Sequence, residues 1–397
     1  MVVYRRTIAA AAAGLAAAGA VTAAAVAASH SGAQHAAPAA DVRAAPAVGR
    51  PSAAPGAYLA RLRTVRTIGS TVPSNGDVNP YGIVVLQHSA GRLHAGNVLV
   101  SNYNDKANLQ GTGSTIVQIT PRGKLSVFAR ITKAMLPSSG SCPGGIGLST
   151  ALVTLPGGWV VVGSAPSANG QAATAKAGCL IVLDNQGRLR ETLHGDGING
   201  PWDATAVSTG KTADLFVTNA FNGTAAGKGT IVRKGTVVRI ALRLSGSAAP
   251  RLAGAAIIAT GLAEQASAAA FVLGPTGVGL GRGDILYVAD TATSTITAIP
   301  GALHRNGSAG PGLTITAGGS LSQPLGLAIA SDGDILTVNG GNGKIVETTP
   351  AGRQVATELL DNSGSPAGAG ALFGLTVASS GNVYYVDDVA NTLRLLR

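Results

Sequence analysis

Two sets of residues in this chain have types and spacings that could hold a ligand or an ion. The first is polar: Asn102, Ser164, Asn219, Asp290, Asn339 and Asp387 each end a short β-type run such as Asp284-Ile285-Leu286-Tyr287-Val288-Ala289-Asp290. A hard cation such as calcium wants several carboxylate and carbonyl oxygens, and Asp290 and Asp387 are the charged members of this set. The same side chains also cap turns through local backbone bonds, which is a purely structural use. The second set is aromatic. Tyr81, Trp202 and Phe373 share a position with Ile146, Thr276 and Leu325, one residue before a glycine or its substitute. Such rings either fill a channel or stack on a ligand. Asp388 adjoins the polar set, but pleat alternation turns it elsewhere.

Catalytic signatures are sparse. His88, His94, His194 and His304 fall at unrelated positions, each without a matched partner. Neither a G-x-S-x-G elbow nor H-E-x-x-H occurs. Gly277-Val278-Gly279-Leu280-Gly281 resembles a phosphate loop but precedes a hairpin and no helix, so it reads as turn chemistry. Cys142 and Cys179, the only cysteines, lack CxxC spacing and read as one disulfide in an exported protein.

These residues are positioned by a repeat. In the clearest unit, Gln323-Pro324-Leu325-Gly326-Leu327-Ala328-Ile329 leads through the turn residues Asp332-Gly333 to Ile335-Leu336-Thr337-Val338-Asn339. Lys344–Thr348 and Gln354–Thr357 follow, giving a four-stranded meander. Equivalent units start at Asn79, Gly144, Gly200, Gly274 and Leu372, and the last reaches Arg397 with one strand fewer than the others. The alternating run Leu62–Ile68 supplies that strand and closes the ring. The fold class is therefore all-β, a six-bladed β-propeller of four-stranded antiparallel blades closed by an N-terminal strand.

The pattern resembles NHL repeats, P-x-G-[IVL] into a strand and then G-x-[IVL]-[YF]-V-x-D, over residues 58–397. Units two and three depart from it: Ser164 replaces Asn or Asp, Asp203 replaces the glycine, and insertions fall at 165–178 and 222–235. The resemblance implies an interaction platform that binds at its channel face, through Tyr81, Asn102, Trp202, Asn219, Asp290, Asn339, Phe373 and Asp387. The occupant is expected to be a small molecule, a glycan or a protein. The competing expectation is a metal-dependent hydrolase or lyase similar to gluconolactonase-like propellers, although their glutamate and histidine set is missing here.

The chain ends complete the organisation. Arg5-Arg6, an uncharged Ala-rich run and Ala25-Val26-Ala27 read as a signal peptide over 1–27, which places the mature protein outside the cytoplasm. Residues 28–57 are Ala/Pro-rich and read as a disordered linker, so the mature chain carries no membrane span. Net charge is +11 with only 12% charged residues, but the Lys and Arg are scattered without aromatic interleaving. That pattern argues against nucleic acid and for a solvated, monomeric surface.

Overall fold

The computed structural model describes residues 52–136, 142–246 and 248–397. The segments read above as a signal peptide and a linker, up to residue 51, lie outside the described residues. Six antiparallel sheets make up the structure. Their inner strands are Val78–Val85, Leu148–Leu155, Pro201–Thr209, Pro275–Gly281, Pro324–Ile329 and Leu372–Val377. Each inner strand touches the next, and the sixth touches the first, so the sheets close into a six-bladed β-propeller.

The repeat glycine marks the narrowest part of this ring. A Cβ on Gly277 would lie 2.4 Å from the Leu325 carbonyl oxygen, one on Gly326 2.5 Å from that of Phe373, and one on Gly374 2.2 Å from that of Tyr81. These contacts are with backbone of the neighbouring inner strand, so only glycine lets these four consecutive blades approach so closely. In the blades that carry Gly277, Gly326 and Gly374 a bulge follows the first residue of the inner strand, as between Pro324 and Leu327. The segment Gly277–Gly281 is strand throughout, not a turn. In blade two the pairing Leu148↔Ser164 puts Leu148 where the other repeats have proline or leucine, and the bulge to Leu152 is one residue longer. Ile146 therefore precedes the inner strand, and Ser149 and Thr150 occupy the place that its repeat position suggested for it.

Closure follows the sequence reading with a short shift. Val65–Ser70 pairs with Thr392–Leu396, from Val65↔Leu396 to Ser70↔Thr392. Leu62 instead packs in the core between blades five and six, together with Ala57, Tyr58 and Leu59. Part of the segment read as linker is also built in. Ser52–Ala53 adds a fifth strand to blade five through Ser52↔Thr357 and Ala53↔Ala356. Just beyond it, the backbone N–H groups of Tyr58 and Leu59 donate to the two carboxylate oxygens of Glu347, each at 2.8 Å. Glu347 is fully buried, so this arm satisfies a carboxylate that water cannot reach.

Blade three carries the largest departure. Its outer strands Val232–Ser245 and Ala248–Ser267 are extended, and Phe271–Leu273 adds a fifth. The 222–235 insertion folds partly into a short helix, Thr224–Gly227. Cys142 and Cys179 are joined, with Cα atoms 5.2 Å apart, which ties the segment before blade two to that blade's third strand. Among the described residues no helix is long and apolar enough to cross a membrane.

Candidate functional site

The aromatic set converges, and further rings join it. Tyr81 lies 4.4 Å from Phe373, 5.6 Å from Trp202 and 5.5 Å from Tyr103 between ring centroids. Phe221 and Phe271 continue the cluster at 5.4 Å and 6.4 Å from Trp202. Trp202 is 1% exposed and Tyr81 4%. These rings close one end of the channel. No repeat signal points to Tyr103 or Phe271; Tyr103 simply follows Asn102, and Phe271 sits in the blade-three extension. Phe271 adopts φ 63°, a left-handed conformation that costs a bulky residue roughly 1–3 kcal/mol, held here by packing of its ring.

The polar set does not gather at the axis. Asn102, Ser164, Asn219, Asp290 and Asn339 each tie their own blade to the segment that arrives from the preceding one, whereas Asp387 bonds within its own blade. Asn102 Nδ2 donates to the Thr71 carbonyl at 3.1 Å, and Asn339 Nδ2 to that of Ser320 at 2.7 Å. Asn219 Oδ1 accepts from the Asn199 N–H at 3.0 Å. Asp290 accepts from Ala263 and Thr293 N–H groups, both at 3.1 Å. Ser164 bridges Gly145 and Gly147 within blade two's entry. Asp387 takes the Ala390 N–H at 2.9 Å and the Arg394 guanidinium at 2.8 Å, and Arg394 also reaches Asp361 at 3.5 Å. Thus Asp387 already has a cation and Asp290 already has backbone donors on both oxygens. Among the described residues no three His, Cys, Asp or Glu side chains are grouped to hold a metal. The Asp290 and Asp387 pair does not fit a calcium site. His88, His94, His194 and His304 are exposed.

The open volume lies on the other side of the glycine waist. A cavity of about 390 Å³ is lined by all six inner strands and runs from Thr150, Asp203 and Gly374 out to Gln87 near the ends of those strands. None of the eight residues expected to bind a ligand lines it. Inner strands pair on one side only, so their free backbone edges face this channel. Half-buried side chains such as Val84, Thr205, Ala328 and Val377 decorate the wall.

Asp203 is the one ionisable group on that wall. It occupies the glycine position of blade three, and its own N–H donates to Thr218 Oγ1 at 3.0 Å. Burial pushes its carboxyl well above the usual range, against backbone hydrogen bonds from Ala204 and Val278 that pull it down. Thr150 Oγ1, beside it at the waist, is buried without a hydrogen-bond partner. The sequence did carry a signal for Asp203, since it is a departure from the repeat. Its meaning needed the location.

Buried carboxyls give the fold a pH signature. Glu264 is fully buried, and burial raises it from 4.5 to about 7. Burial, with Asp387 nearby, raises Asp388 from 3.8 to about 7. Between the unfolded and folded values the folded state holds protons that the unfolded chain has released. Stability contributed by these groups is therefore complete at low pH and is lost as pH rises toward 7. The melting temperature at pH 5 is expected to exceed that at pH 8 by several degrees, with Glu264→Gln recovering part of the loss at pH 8. A flat profile, or no gain from Glu264→Gln, contradicts this.

No protein-family model matches the chain, and no curated protein matches it by sequence. Solved structures do match by shape. A gluconolactonase from Xanthomonas campestris aligns at 14% identity over 89% of this chain and 98% of its own, with a TM-score of 0.54. A putative oxidoreductase (glucose dehydrogenase) from Thermus thermophilus aligns at 14% identity over 85% and 100%, TM-score 0.52. The calcium-binding protein regucalcin from Agrobacterium tumefaciens aligns at 12% identity over 83% and 93%, TM-score 0.50. What the chain shares with these proteins is the fold, and it is a six-bladed β-propeller of that architecture.

Proposed function

We propose that this chain is an extracytoplasmic binding module that takes a small polar ligand into its central channel. The observation that carries the reading is the cavity of about 390 Å³, reached from the end opposite the aromatic cluster and floored by Asp203 and Thr150. A pocket of this size is within the range that small ligands use. One carboxyl with no second titratable group beside it supports binding better than acid–base chemistry, which needs a matched pair. The Cys142–Cys179 bond supports an oxidising compartment.

The test is an NMR titration with a library of neutral and charged small polar molecules. Binders should shift the Ala204, Thr205, Ala328 and Thr376 amides and lose this effect in Ala328→Trp. Binders that shift Phe221 and Phe373 instead would move the site to the aromatic end, where sequence reasoning put it, and would refute the channel reading.

The second reading, a metal-dependent lactonase-like hydrolase, has the fold of the gluconolactonase in its favour and the donor set against it. Calcium added to the purified protein should leave the Asp290 and Asp387 carboxyl resonances in place. A shift of either would revive that reading.

A further inference from the structure

The channel wall is asymmetric in charge. It holds a carboxyl and no Lys, Arg or His. Asp203 takes part in none of the ion pairs of the described residues. Its exposure is 9%, so one face of the carboxyl meets the channel while the rest is enclosed. An anionic ligand finds no counter-charge anywhere on this wall and meets repulsion at its inner end once Asp203 is ionised. A neutral ligand can use the threonine hydroxyls but gains nothing from the carboxyl's charge. A cation meets an ionisable group that lacks a counter-ion and is itself largely enclosed by protein, where charge pairing is strengthened.

The formal charge of +11 acts in the opposite direction over long range. At physiological salt such fields fade within about 8 Å, so the nearest charge decides. From Asp203 the wall continues through Val84, Ala204, Ala328 and Val377, all half-buried. These side chains come from four different inner strands around the channel, and such a surround suits an apolar stem behind a charged head.

We propose that the channel selects small organic cations, with an alkylammonium head pairing with Asp203 and its stem lying in the channel among Val84, Ala204, Ala328 and Val377. The inference rests on the channel being the binding site, and the experiment separates the two. Butylammonium, 1-butanol and butyrate are titrated separately at pH 8 and followed by amide NMR shifts. Two variants are compared with the wild type: Asp203→Asn, and Asp203→Gly, which installs the residue that Gly82, Gly277, Gly326 and Gly374 supply in the other blades and so preserves the fold.

Butylammonium should shift Ala204 and Val278, at least tenfold more tightly than 1-butanol, and butyrate should leave them unmoved. Both variants should lose that tenfold preference, and wild-type affinity should rise with pH as the Asp203 carboxyl ionises. Equal binding of butanol and butylammonium, or a preference surviving in Asp203→Asn, overturns the cation assignment while leaving the channel as the site. Three probes that all leave the channel amides unmoved overturn the channel reading with it.

Discussion

Removing the chain through Ser70 is expected to abolish the soluble fold, and removing it only through Arg63 to lower the melting temperature by about 10 °C. The longer deletion takes away Val65–Ser70, the strand that pairs with Thr392–Leu396. Blade six would then expose the unpaired edge of its third strand and the apolar surface that the closing strand covers, which favours edge-to-edge association. The shorter deletion leaves the ring closed but removes Tyr58, Leu59 and Leu62 from the core between blades five and six. It also removes the two N–H donors of Glu347. Losing buried apolar side chains costs about 1.5–3 kcal/mol each before the released chain entropy offsets part of it. A third truncation, through Gly56, removes only the short Ser52–Ala53 strand and should be close to neutral. Thermal melts of the three purified proteins check the order. Indistinguishable melting temperatures would contradict both the closure and the arm.

The second large effect is at Arg394. Its guanidinium lies between Asp387, whose side chain is fully buried, and Asp361, which is 10% exposed. Hydrogen bonds from Ser363 and the Arg394 charge hold Asp361 below the usual carboxylate range despite burial, whereas burial keeps Asp387 raised. Arg394→Met strips the cation from both, and breaking a buried pair in this way costs about 3–5 kcal/mol. Urea denaturation at pH 7 should show that loss. It should shrink at pH 4, because the freed carboxyls take up protons instead of sitting charged in the interior. Adding Asp387→Asn to Arg394→Met should recover part of the stability at pH 7. A single variant within 1 kcal/mol of wild type in this measurement would remove the ion pair from any account of stability. The same experiment bears on function, since Asp387 engaged by Arg394 is a poor ligand for a cation.

Much of this molecule was legible before any coordinates. The strands follow from alternation and from turn pairs such as Asp332-Gly333, which act over a few residues. Five Pro- or Leu-led runs and the degenerate run at Gly144 give the six blades, and the missing last strand together with Leu62–Ile68 gives the closure. The disulfide followed from there being only two cysteines. What lay beyond the sequence is radial. A repeat states which residues are equivalent, but not how far from the axis each equivalent side chain ends. Tyr81, Trp202 and Phe373 are large enough to meet across the axis and seal it once Tyr103, Phe221 and Phe271 from unrelated segments fill the gaps. Asn102, Asn219, Asp290, Asn339 and Asp387 are short, and each bonds to a backbone group of its own or the preceding blade. The channel's open end, the arm on Glu347 and the meaning of Asp203 depend on contacts between residues far apart in the chain. Periodicity carries no information about such distances; packing decides them.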